Sequence, residues 1–164
     1  PRLITEAAKR FGSQCIVGSI EAKKISPGKW EAYVDNGRER TGLDAVEWAV
    51  KLVELGAGEL LITSVDRDGC ESGYDLELIE KISQLVSVPV IASGGIMNAQ
   101  DALEFLIVGA DLLAVGTANF VNPTATMDIL NGLTEHCLRQ NIKSIQELRG
   151  SLKVRTKETC SVSG

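Results

Sequence analysis

Short apolar runs alternate with helical patterns along most of this chain, and that alternation constrains the fold more than any other feature. The spacing of apolar residues predicts five helices, at residues 2–11, 43–55, 74–86, 98–108 and 124–139. The strand-like runs that alternate with them lie at residues 14–20, 59–65, 89–93 and 112–115. Continuous apolar strands separated by helices are typical of a parallel sheet covered by helices.

Four successive strand–helix units amount to half of a (β/α)₈ barrel, which has about 250 residues. The predicted fold class is therefore α/β, as half of such a barrel over residues 1–153, with residues 154–164 as a disordered tail. Half a barrel leaves two edge strands unpaired. We expect another segment or a second copy of the chain to complete it, and an open doubly wound sheet remains an alternative.

The composition excludes several classes of partner and site. The net charge of −5 argues against nucleic acid or an anionic membrane as the main partner. The chain has no apolar run of membrane-spanning length and no signal peptide, so we expect a cytoplasmic protein. Four cysteines without a C-x-x-C pair, and a single histidine, argue against a zinc site, and we predict no metal. Cys15 lies in a predicted apolar strand, which predicts a buried, reduced thiol.

A polar, Gly-rich stretch at residues 21–42 contains one further structural signal. Residues 30–34 alternate between apolar and polar types, and Asp35-Asn36-Gly37 follows as a turn. This pattern predicts a small hairpin within a long loop.

The loops that follow the four strands gather at one end of the sheet, because crossovers in parallel sheets are right-handed. Gly94-Gly95 and Gly116-Thr117 place small residues between a strand and a helix. Such turns let backbone N–H groups approach an anion, and the last two strands of many barrels carry a phosphate site there. We predict that these two turns bind one phosphate group, the alternative being two tight turns without a ligand.

Carboxylates lie at the same predicted rim. Glu21 ends an apolar strand, where a lone carboxylate favours acid–base chemistry, although a salt bridge with Lys23 is the alternative. Asp66 and Asp68 lie in the next loop, where Asp-Gly also commonly makes a turn.

Three stretches of residues 3–95 resemble a known family: LITEAAKRFGSQCIV, GAGELLITSVDRDGCESGYD and PVIASGG. They are similar to the second half of the cyclase subunit of imidazole glycerol phosphate synthase. The resemblance implies the C-terminal half of a (β/α)₈ barrel. It also implies a lyase of histidine biosynthesis, which combines ammonia with a phosphoribosyl-type substrate to give imidazole glycerol phosphate. A glutaminase subunit docked at the opposite end of the barrel supplies the ammonia, and no cofactor is implied.

The same resemblance implies roles for individual residues. One of the family's two catalytic aspartates falls on Glu21, one methylene longer, and the other belongs to a strand without a counterpart here. Asp68 matches a rim aspartate that we count with the catalytic residues, and Gln14 matches a position near the ammonia path. The phosphate pocket falls on Gly69, Gly95, Gly116 and Thr117.

From about residue 96 the resemblance changes. GGIMNAQDALEFLIVGADLLAVGTANFVNP and SIQELRGSL resemble the C-terminus of class 1 dihydroorotate dehydrogenases, whose FMN phosphate would lie at Gly94, Gly95, Gly116 and Thr117. Three interpretations follow: a cyclase half-barrel with little activity alone, an FMN-binding dehydrogenase-like fragment, and a designed or recombined chimera without catalysis.

Overall fold

A computed structural model describes residues 1–65 and 75–152. The helices in this part of the chain are α1 (Arg2–Phe11), α2 (Ala45–Leu55), α3 (Leu76–Leu85), α4 (Ala99–Val108), α5 (Ala118–Val121) and α6 (Ala125–Arg139). The strands are β1 (Val17–Ser26), β2 (Lys29–Val34), β3 (Glu39–Asp44), β4 (Glu59–Ser64), β5 (Val90–Ser93) and β6 (Leu112–Ala114). Single turns of 3₁₀ helix lie at Ser13–Cys15 and Ile145–Glu147.

The strands form one six-stranded sheet in the order β3-β2-β1-β4-β5-β6. β1, β4, β5 and β6 run parallel and are joined through helices, while β2 and β3 form an antiparallel hairpin at one side. The α/β class is confirmed, as a partial (β/α)₈ barrel of four parallel strands. The hairpin predicted within residues 21–42 is confirmed as well.

The two faces of the parallel sheet have different environments. Helices pack on one face, where Ile20, Leu60, Ile62, Val90 and Ala92 are all at most 2% exposed. Side chains alternate along a strand, so the intervening residues lie on the opposite face. There Val17 and Leu112 are 49% and 50% exposed, and Ser19 is exposed too. The core therefore lies between the sheet and a single layer of helices.

The helix layer ends in two apolar surfaces. Neighbouring helices follow the order α1, α2, α3, α4 and α6. The two outer helices carry large exposed apolar side chains, namely Leu3 and Phe11 on α1 and Met127, Leu130 and Leu138 on α6. Surfaces of this kind are typical of helices that have a further packing partner.

The sheet has a partly open edge at β1. β4 pairs with Val17–Ala22 on one side, whereas β2 pairs only with Glu21–Ser26 on the other. Within the described ranges, no strand pairs with residues 17–20 on that second side. β6 is the last strand at the other end of the sheet.

Local signals define the helix ends. Asn98 accepts hydrogen bonds from the backbone N–H of Gln100 and Asp101, and the Asp101 side chain accepts one from the Asn98 N–H. Gly56 follows α2 as its C-terminal cap. None of the helices in the described ranges is long and apolar enough to span a membrane.

Three sequence-based predictions need correction or lie outside the described residues. The strand predicted at 14–20 begins only at Val17, because Ser13–Cys15 forms a 3₁₀ turn, and it continues to Ser26 because its second half pairs with β2. Cys15 is consequently exposed rather than buried. The tail predicted at 154–164 lies outside the described residues.

Candidate functional site

Four residues at the carboxyl ends of the parallel strands lie in one continuous row across the sheet. Glu21 pairs with Thr63, Thr63 with Ser93, and Ser93 with Ala114. Directly paired residues of parallel strands point to the same face, so this row lies on the face away from the helices. Gly94-Gly95 directly follows Ser93 of this row, and Gly116-Thr117 follows Ala114 after one intervening residue, Val115. The structure thus brings Glu21 and both small-residue turns to one rim.

The Glu21 side chain is half-buried at this rim. Its Oε2 atom accepts a hydrogen bond from the backbone N–H of Gly37 over 2.7 Å. Gly37 belongs to the turn between β2 and β3, which therefore folds back onto the end of β1. No salt bridge with Lys23 is formed among the described residues, where the Lys23 ammonium lies 4.9 Å from the Tyr33 ring centre instead.

Gly94 and Gly95 turn the chain sharply at the end of β5. Their φ angles are 96° and 74°, a left-handed conformation that residues with a Cβ adopt only under strain. Within residues 1–65 and 75–152, their backbone N–H groups donate to no acceptor. Both residues are half-buried at the rim.

Gly116 and Thr117 form the second small-residue turn. Both are exposed, and their N–H groups also lack an acceptor in the part of the chain that the structure describes. A Cβ added to Gly116 would have no atom within 4 Å, so the space beside its backbone is open. The following helix, α5, has only four residues, and Asn119 links it to the next helix by accepting hydrogen bonds from Thr126. Sequence analysis did not predict this short helix.

The remaining predicted site residues, Asp68 and Gly69, lie outside the described residues, as does Asp66. Within the described ranges, no group of three or more His, Cys, Asp or Glu side chains is arranged to hold a metal ion.

An ion pair between a buried carboxylate and an exposed guanidinium holds the β2–β3 hairpin that carries Gly37. Glu31 is 4% exposed and receives the Arg40 guanidinium, with Arg40 Nη2 2.6 Å from Glu31 Oε2. The backbone N–H of Gly42 donates to Glu31 Oε1 over 2.9 Å. The hydrogen bond from Arg40, and to a lesser extent that from the Gly42 N–H, lowers the pKa of the Glu31 carboxyl, because both stabilise its charged form.

A second polar cluster fixes the same hairpin to α3. The fully buried Trp30 donates its indole N–H to Asp75, the residue before α3. Lys24 and Lys81 lie over the Trp30 ring, with each ammonium within about 5 Å of the ring centre. Both lysines also bond Glu77 and lower the pKa of its carboxyl. Sequence analysis missed this cluster, since Trp30 and Asp75 are far apart in the chain.

Comparison with known proteins is consistent with this arrangement. Imidazole glycerol phosphate synthase subunit HisF of Bacillus cereus (strain ATCC 10987 / NRS 248) is 57% identical to the chain over 104 residues. The match covers 63% of this chain and 41% of that relative, so the chain spans less than half of the relative's length. The resemblance to the cyclase family is thereby confirmed, whereas the resemblance to dihydroorotate dehydrogenases stays a prediction.

A family model extends the match further along the chain. The model described as histidine biosynthesis protein matches residues 1–124, a range that contains Glu21 and both small-residue turns. Since these are 124 of 164 residues, the chain belongs to the histidine biosynthesis protein family of (β/α)₈ barrels.

Proposed function

We propose that this chain is the substrate-binding half of a cyclase of histidine biosynthesis, of the imidazole glycerol phosphate synthase type. The observation that carries the proposal is the row from Glu21 to Ala114. Along it, a carboxylate and two small-residue turns lie at one end of one sheet, which supports a phosphate site there. The similarity to the Bacillus cereus subunit supports the same reaction.

The spacing of the row suits a phosphorylated sugar chain. Neighbouring strands lie about 4.8 Å apart, so the end of β5 is about 10 Å from Glu21 and the end of β6 about 14 Å. A phosphate held by the N–H groups of Gly94, Gly95, Gly116 and Thr117 would leave the other end of a sugar near the carboxylate. Gly69, and Asp68 as a second acid, belong to the same proposed site by resemblance.

Glu21 is proposed as one member of the acid–base pair that moves protons in the ring-forming step. Such a group must come within hydrogen-bond reach of the reacting atom, about 2.6–3.2 Å. Glutamate reaches about one methylene further than the family's aspartate, and a misplacement of about 1 Å can cost about 10²-fold in rate. The family's other catalytic aspartate has no counterpart in this chain, so we expect little or no turnover from the chain alone.

A complete barrel is proposed to form with a complementary half or with a second copy of the chain. Among residues 1–65 and 75–152, nothing covers the face that carries Glu21 or pairs with the second side of residues 17–20 in β1, and both outer helices expose apolar residues. All three features would be covered in a closed barrel. The glutaminase partner is proposed to dock at the end opposite the rim, where the exposed Gln14 precedes β1.

A phosphate titration tests the proposed site. In ¹H–¹⁵N NMR spectra of the full chain, we expect inorganic phosphate to shift the amide signals of Gly94, Gly95, Gly116 and Thr117. Gly116→Val fills the open space beside the backbone without meeting another atom at its Cβ, so we expect about tenfold weaker binding in an intact fold. Gly150→Ala is the control for lost stability: its added Cβ also meets nothing within 4 Å, but its left-handed φ of +64° strains the substitution, and it lies beside the end of α4.

The outcomes separate the three interpretations of the chain. Shifts confined to other residues, or equal binding by Gly116→Val and the parent, would contradict the site. A yellow purified protein with FMN absorbance would favour the dehydrogenase-like alternative. Turnover after mixing with the first half of the Bacillus cereus subunit, and its absence without that half, would support the cyclase.

A further inference from the structure

We propose that the turn between β2 and β3 positions the Glu21 carboxylate, with Gly37 as the positioning residue. The proposal deepens the proposed function, since it concerns the side chain assigned there to proton transfer. It rests on one hydrogen bond and on the close packing around Gly37.

The turn docks on the rim through Gly37. Gly37 is buried, although its neighbours Asp35, Asn36 and Arg38 are exposed. Its N–H donates to Glu21 Oε2 over 2.7 Å, a short distance that is typical of hydrogen bonds to a charged acceptor. The tip of the hairpin is thus attached to the carboxylate.

The packing around this turn requires glycine at position 37. Its φ of +73° is left-handed, and an added Cβ would clash with Val65 Cγ1. The backbone of Val65 is held at this place, because its N–H donates to the carbonyl oxygen of Ala22 over 2.9 Å. Gly37 therefore packs directly against the Val65 side chain.

The residues before Gly37 suit a tight turn. Asp35 and Asn36 have φ angles of 53° and 55°, a left-handed conformation that Asp and Asn adopt more readily than other residues with a Cβ. The hydrogen bond to Glu21 and the packing against Val65 attach this turn to the rim.

The Gly37 bond engages one of the two carboxylate oxygens of Glu21. Oε2 accepts it, whereas Oε1 accepts no hydrogen bond from the described residues. A glutamate has one more rotatable bond than the family's aspartate, so its carboxylate is less well placed by the strand alone. The bond from Gly37 removes that freedom.

Variants of the full chain test whether Gly37 positions the Glu21 carboxylate. Gly37→Ala introduces the clash with Val65 and lifts the turn from the rim. Gly42→Ala is the matched control in the same hairpin, because it also has a left-handed φ, +74°, but its Cβ would meet nothing within 4 Å. Gly37→Ala with Val65→Ala removes both methyl groups that the new Cβ approaches most closely, and should restore docking in part.

The readouts are NMR signals of the two bonded groups. We expect the carboxyl ¹³C shift of Glu21 to change in Gly37→Ala, to stay unchanged in Gly42→Ala, and to return toward the parent value in the double variant. In Glu21→Ala, hydrogen exchange at the Gly37 amide should be about tenfold faster or more. An unchanged Glu21 signal in Gly37→Ala, or unchanged Gly37 exchange in Glu21→Ala, would overturn the proposal.

These measurements are independent of catalysis and of phosphate. If Gly37 and Glu21 respond to each other's substitution but the chain binds no phosphate, the positioning role of Gly37 stands and the proposed function is contradicted. If the chain binds phosphate but Gly37 and Glu21 do not respond to each other, the positioning role is contradicted and the proposed function stands. In the barrel completed with the Bacillus cereus half, Gly37→Ala should lower kcat by about 10²-fold with little change in KM.

Discussion

The two faces of the parallel sheet differ in what holds them and in what they offer. The helix-covered face carries aliphatic side chains that exclude water almost completely, such as Leu60 and Val90. The opposite face carries Glu21, Thr63 and Ser93, which are only half-buried. Neighbouring residues of one strand belong to different faces. Residues that stabilise the fold therefore alternate along each strand with residues that face the proposed site. Substitutions along a single strand can therefore separate the two.

The largest expected effect compares Leu60 with Leu61, neighbours in β4 that point to opposite faces. Leu60 is fully buried, so Leu60→Ala should cost about 3 kcal/mol of unfolding free energy through lost burial and a cavity. Leu61 is half-buried, and Leu61→Ala should cost about 1 kcal/mol. Urea denaturation of both variants measures the difference. Equal losses of unfolding free energy in the two variants would mean that the open face is covered in solution. An unfolding free energy that rises with protein concentration would identify a second copy of the chain as the cover.

The next effect concerns the polar contacts on the helix-covered side. Trp30→Phe removes the indole N–H that the buried Asp75 side chain accepts, and should cost about 2 kcal/mol. Trp48→Phe is the control, since Trp48 is only partly buried against the core. Thermal unfolding followed by circular dichroism compares the two. A smaller loss for Trp30→Phe than for Trp48→Phe would mean that the Asp75 contact does not fix the hairpin to α3.

The smallest effect depends on pH. Arg40 and Gly42 lower the pKa of Glu31 in the folded chain from its ordinary value of 4.5. Its contribution to stability is therefore complete above about pH 4.5 and is lost as the pH falls through the lower, folded-state pKa. Arg40→Gln should unfold more easily than the parent at pH 7, and this difference should shrink toward pH 3. A difference that stays constant with pH would exclude the ion pair as its cause.

Sequence patterns predicted the parts of this fold that depend on neighbouring residues. The strand–helix units and the hairpin follow from local periodicity and turn residues, and the structure has each of them. The row of strand ends was also predictable in outline, because parallel strands share one end. The grouping of Glu21 and the two small-residue turns at one rim was therefore predicted from the sequence.

Contacts between distant segments were not predictable in the same way. The extension of β1 to Ser26 depends on pairing with β2, and the exposure of Cys15 depends on where β1 begins. The bond between Gly37 and Glu21 requires the hairpin to fold back over the rim, which no spacing in the sequence encodes. Asn36-Gly37 marked a turn, and only the structure shows the left-handed glycine against Val65.

The half-paired edge of β1 has a consequence for any strand that joins it. β2 occupies this edge from Glu21 onward, and within the part of the chain that the structure describes residues 17–20 are left without a strand partner on that side. An incoming strand, whether from a complementary half or a second copy, must therefore stop beside Ile20. The hairpin thus limits the length of an incoming strand and places the end of that strand next to the Glu21 carboxylate.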